Sequence, residues 1–169
     1  MTIFLRAVRL LTMVVWVGGL IFFAFVEAPT AVGVMGTTQP FALLIGESVS
    51  KLDLIGQTCG CLFVIATIAI WFRTEPQGRR FLPSEILLAA LMIAATMVVQ
   101  RGILPAMERD RIAAGGDIDA SAPDNPARLD FERLHPISEK IEGAALLLGV
   151  GVIVLIAAEP GTHKRAQAS

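Results

Sequence analysis

The sequence predicts an all-α integral membrane protein. The fold is a four-helix bundle, with a short interfacial helix before the second span and a polar loop carrying a further helix before the fourth. Three observations carry this prediction. The chain is 54% hydrophobic and 17% charged over 169 residues, with mean hydropathy +0.68, too apolar for an ordinary soluble domain. Its apolar runs fall at 10–26, 54–72, 86–100 and 143–158, each bounded by charged residues. The runs lack the polar face that a helix of a soluble bundle turns to water.

Each run is slightly short of the ~20 residues that cross a bilayer core. Flanking charges can snorkel and each helix can extend by a turn. The expected helices are therefore 5–28, 52–73, 83–104 and 137–158, within one transmembrane domain, 1–169.

Arg6 and Arg9 precede the first run, which exceeds the length of a signal-peptide core, so it reads as a retained helix. Gly18 and Gly19 offer a smooth face for a neighbouring backbone. Pro29 is expected to stop this helix. Pro40 can open the next helical stretch at its first position. There Phe41, Leu44, Ile45, Val49 and Leu52 recur at helical spacing. This stretch is an interfacial amphipathic helix or the first turns of a long second helix; both readings stand.

The second span has the most polar content: Gln57, Thr58, Cys59, Cys61 and Thr67. Gly56 and Gly60 form a G-x-x-x-G pair suited to close packing. The alternative is a Gln57/Cys61 patch that contacts a metal or substrate. The two cysteines point to different helix faces, which disfavours a mutual disulfide.

Pro83 and Glu85 suit the N-terminus of the third span, where Ala90 and Ala94 repeat the small-residue spacing. The loop from 106 to about 136 is the only sizeable polar segment. Pro126 begins a helix with Phe131, Leu134, Ile137 and Ile141 on one face, and Pro136 should kink or restart it. The fourth span packs through Ala145 and Gly149.

Alternation puts Arg6, Arg9, Arg73, Arg79, Arg80, Lys164 and Arg165 on one side. The other side holds Lys51, Arg101, Arg109, Arg111, Arg128, Arg133 and Lys140. The totals tie, but the first set sits in short flanks, which carry the weight in the positive-inside rule. Both termini are thus expected in the cytoplasm. The outer helix ends then share one polar layer: Glu27, Asp53, Gln57, Arg101, His135, Ser138, Glu139 and Glu142. The inner ends carry basic residues in an anchoring role.

Three stretches resemble a known family. They are Trp16-Val17-Gly18-Gly19 followed by Phe22-Phe23-Ala24-Phe25 and Ala28-Pro29; Leu104-Pro105-Ala106-Met107 with Arg109; and Phe131, Leu134, His135 and Ser138. In order and spacing the chain resembles the transmembrane protein 205-like family, known in bacteria as domain of unknown function 4149. The resemblance implies a small four-helix membrane protein, without an established activity. Eukaryotic relatives are associated with resistance to platinum compounds, which hints at metal or drug handling. Where the family often has Asn after the Ser, this chain reads Glu139-Lys140-Ile141-Glu142, so no role of that Asn carries over.

His135 is the candidate metal ligand or proton carrier, weighed against an ordinary interfacial histidine that orders the third loop. Glu139, one turn on, could orient it. Arg101 is a snorkelling anchor or the partner of Glu139 or Glu142 across the bundle. His163, in the opposite-side tail, makes a two-histidine haem improbable within one chain. No enzyme motif is present, and no cofactor is expected. Net charge −1 gives no nucleic-acid signature. The expected partners are the lipid bilayer, with other membrane subunits or a homo-oligomer, and the expected location is a bacterial inner membrane. Two functional readings remain: a structural or accessory membrane subunit, which is favoured because the middle of the bundle has too few polar groups to line a pathway, and, as the alternative, a small transporter or metal- or drug-handling protein that uses the outer polar layer.

Overall fold

The computed structural model describes residues 2–159. It contains four helices long and apolar enough to cross a membrane: α1 (Ile3–Met35), α2 (Gln39–Trp71), α3 (Leu82–Ala113) and α4 (Pro126–Ala157). There is no strand among the described residues. His163, Lys164 and Arg165 lie outside the described residues.

The helices run further than the apolar runs alone predict. At 32–33 residues each, they are about 50 Å long, against about 30 Å of hydrocarbon. Pro29 does not end α1. A π-helical segment, Phe23–Glu27, precedes it, and the Ala28 N–H donates to the Phe23 carbonyl. The same device recurs in α3. The Leu104 N–H donates to the Val99 carbonyl across the π segment Val99–Ile103, immediately before Pro105. A proline lacks the N–H of the regular ladder and its ring crowds the preceding turn; a wider turn there lets the helix continue.

The expected interfacial helix is the first part of α2, which starts at Gln39 after an extended Thr38 and has proline in its first turn. The expected loop helix is likewise the first part of α4. Asn125 caps it, its Oδ1 accepting from the Ala127 N–H at 2.9 Å. The helix neither breaks nor restarts at Pro136. The carbonyl that this proline leaves without its ladder partner belongs to Glu132, which is exposed, so water can satisfy it.

The helices run up, down, up and down. α1 and α3 each pack against both α2 and α4, closing a four-membered ring. Trp16, Val17, Phe63, Met92, Ala145 and Val152 form the centre of the main core. A second apolar cluster, Val99, Ile103 and Met107 with Phe131, Leu134 and Ile141, fills the bundle toward the 114–125 loop.

Glycines seat the largest side chain. Trp16 is 0% exposed and lies against Gly56 and Gly60. A Cβ on Gly56 would come 2.1 Å from Trp16 Nε1, and one on Gly60 would come 2.6 Å from Trp16 Cζ3. Gly149 sits as tightly, with Val17 Cγ2 at 2.5 Å from a built Cβ. Ala145 beside it is fully buried. Gly19 faces Leu52, whose Cδ1 would be 2.6 Å from a Cβ. Gly18 departs from the expected smooth pair. It is exposed, and a Cβ there would meet nothing within 4 Å. Ala90 and Ala94 are also exposed; α3 instead buries Leu82, Glu85, Ala89, Met92 and Thr96.

Only 17–39% of each apolar window is buried inside the bundle. The outward faces carry Leu11, Val14, Phe25, Ile65, Leu87, Leu147 and Val154, all exposed. Apolar surface of that extent calls for lipid as its solvent, and the protein is an integral membrane protein.

Candidate functional site

A buried acidic layer separates the two apolar clusters. Asp53 lies near the middle of α2 and is 1% exposed, yet neither of its carboxylate oxygens has a hydrogen-bond partner. Glu142, near the middle of α4, is half-buried, and its Oε1 is also buried without a partner. The two carboxylates are close enough to act on each other electrostatically.

The neutral groups nearby are already engaged. Gln57 Nε2 donates to Gln100 Oε1 at 2.8 Å, and Gln100 Nε2 donates to the Ser50 carbonyl at 3.3 Å. These bonds tie α2 to α3 at the π segment. Ser138, one turn before Glu142, is buried, and its hydroxyl donates to the His135 carbonyl at 2.7 Å. Burying an ionised carboxylate without donors or a counter-charge costs several kcal/mol or more. An ionisable group inside a membrane bundle makes this layer the candidate functional site.

The expected polar cluster therefore divides. Gln57, Ser138 and Glu142 turn toward the bundle interior with Asp53 and Gln100. Glu27 closes the π segment of α1 and is half-buried. Arg101, His135 and Glu139 are exposed. His135 Nε2 lies 3.4 Å from Glu139 Oε1, with the side chains 54% and 66% exposed, and the imidazole stacks on Phe131 at 6.0 Å. No group of three or more His, Cys, Asp and Glu residues that could hold a metal occurs among the described residues. Arg101 forms no ion pair with Glu139 or Glu142. Successive helical residues are about 100° apart, so turning Gln100 toward α2 carries Arg101 away from the interior. Of the Gln57/Cys61 patch, Gln57 is bonded to Gln100 and Cys61 is exposed.

The family model described as domain of unknown function DUF4149 matches residues 11–112. The chain belongs to the DUF4149 family. No curated protein and no solved structure matches it. The match takes in Trp16 with its Gly56/Gly60 notch, and Asp53, Gln57, Gln100 and Leu104-Pro105. The third resembling stretch, with His135 and Ser138, lies beyond it, as does Glu142.

This DUF4149 chain holds a second buried charge cluster at the opposite end. Arg9 is 1% exposed and Glu85 0% exposed, and the Arg9 Nη2 donates to Glu85 Oε2 across α1 and α3. Arg9 Nη1 also lies 2.9 Å from Glu159 Oε1, an ion pair that lacks hydrogen-bond alignment. The guanidinium carbon stands 5.5 Å from the centroid of the Phe63 ring, a cation–π contact. Arg9 was expected among the snorkelling anchors; it points inward because Glu85 waits there. A charged residue one step outside an apolar run looks the same in sequence whether it faces lipid headgroups or a partner helix.

Proposed function

We propose that this DUF4149 protein is a small transporter-type membrane protein that handles a charged solute through the polar layer between its helices. The observation that supports it is Asp53, a sealed carboxylate with no partner, placed among engaged amides and beside a second acid. Such a layer weakens a bundle that apolar side chains would hold better, so a working role accounts for its presence. The reading is non-enzymatic and involves no bound cofactor. The setting is a bacterial inner membrane with both termini in the cytoplasm, for which the basic residues in the short flanks are the support.

The test is flux in proteoliposomes. Purified protein is reconstituted with a pH-sensitive or a cation-sensitive dye inside, and a potential or ion gradient is imposed. Wild-type protein should dissipate the gradient, and Asp53→Asn should not. Equal leakage with wild-type, variant and empty vesicles would contradict transport.

A second reading, an accessory subunit of a larger assembly, has one observation in its favour. An apolar groove lined by Ile68, Trp71, Phe72, Pro83 and Ile86 opens between α2 and α3 at the 72–81 loop. A stoichiometric membrane partner retained through mild detergent purification would favour this reading.

A further inference from the structure

We infer that Asp53 and Glu142 form a binding site for one unit of positive charge, a proton or a monovalent cation that keeps part of its water, inside the bundle, with one acid from each of α2 and α4, which stand across the ring from each other. The inference rests on the transport reading and gives it a ligand class.

Three observations carry it. The first is the sealed carboxylate: Asp53 is 1% exposed and unpartnered at both oxygens, and Glu142 Oε1 joins it unpartnered. The second is that no side-chain cation among the described residues neutralises them. Lys51 pairs with Glu47 at 3.5 Å, both exposed. Arg101 on α3 and Lys140 on α4 are exposed, and neither forms an ion pair among the described residues. Arg9 is committed to Glu85 and Glu159 at the far end. On α1 the titratable group toward this end of the bundle is Glu27, which is half-buried and, as an acid, supplies no cation. His135 and Glu139 on α4 are engaged with each other at the surface.

The third observation limits the ligand. Calcium takes 6–8 oxygens and magnesium demands octahedral geometry, usually keeping several waters. A pair of carboxylates, with the Gln100 oxygen already accepting a hydrogen bond, does not supply that shell. One positive charge does suit two carboxylates whose mutual repulsion it relieves. Asp53 is closed off, whereas Glu142 is half-buried, so the ligand reaches Asp53 by way of Glu142.

The test uses full-length protein in detergent. Thermal unfolding is followed in sodium chloride, potassium chloride and choline chloride at equal ionic strength. Infrared spectra of the same samples report any protonated carboxyl group. If the ligand is a metal cation, sodium or potassium raises the melting temperature saturably over choline, and Asp53→Asn and Glu142→Gln each abolish the rise. If it is a proton, the three salts behave alike, and wild-type protein shows a protonated-carboxyl stretch that Asp53→Asn or Glu142→Gln removes. The absence of both signatures in wild-type protein would overturn the inference. So would saturable stabilisation by calcium or magnesium alone that Asp53→Asn abolishes. Failure of the transport reading is separate: binding with no flux contradicts transport alone, and flux that survives both substitutions contradicts the site alone.

Discussion

Trp16 shows how one residue sets the register of two helices. Its indole fills the notch between Gly56 and Gly60, and the built Cβ distances of 2.1 and 2.6 Å leave no room for a methyl group. Gly56→Ala should therefore force the indole out of place, costing about 1–3 kcal/mol as an overpacked core does. Gly18→Ala, on open surface, should leave the melting temperature in detergent unchanged. Equal effects from the two substitutions would contradict the notch. Arg9 poses the complementary case. Removing one member of a buried ion pair strands the other charge, at about 3–5 kcal/mol. Arg9→Ala and Glu85→Ala should each destabilise strongly, and together they should cost less than the sum of the two. Additive melting shifts would mean that the two groups do not act as a pair. The G-x-x-x-G spacing made the notch legible in sequence, because small residues one helical turn apart have few other uses inside a membrane. Arg9 was not legible, because its meaning depends on a glutamate on a different helix.

At the scale of elements, the prolines divide into two kinds. Pro29 and Pro105 each follow a π segment that carries the helix past them. Pro136 sits within regular helix, with an exposed residue supplying the orphaned carbonyl. Pro136→Ala restores an N–H to the ladder and removes the ring clash, so it should stabilise α4, by up to about 3 kcal/mol. A lower melting temperature for this variant would show that the proline positions the His135 turn. Helix existence was readable from the apolar runs; helix extent was not. The runs mark what lipid requires, whereas the ends of α2, α3 and α4 are held by packing outside that slab, as Phe131, Leu134 and Ile141 do against Val99 and Met107. The π segments were equally hidden. One residue's shift at Val99–Ile103 decides that Gln100 faces α2 and Arg101 faces out, which is why the expected Arg101 pairing fails while Gln57 meets an unforeseen partner.

For the whole molecule, two buried polar layers bound the main apolar core. Arg9, Glu85 and Glu159 close one end, the guanidinium standing between two carboxylates. Asp53 and Glu142 occupy the other, with no cation among the described residues to match them. The proposed topology would orient these layers: reporters fused at the C-terminus should be active in the cytoplasm, and reporters within 115–125 should be active outside. The opposite pattern would invert the proposed direction of access. On the proposed function, Asp53 is kept for function and not for stability. The most direct measurement is gradient dissipation in proteoliposomes carrying Asp53→Asn, a substitution that keeps the side-chain shape and removes the charge, with its melting temperature taken on the same preparation. Flux should be lost while the melting temperature holds or rises. Flux at the wild-type rate, or a flux loss that tracks a collapse in stability, would contradict the proposed function.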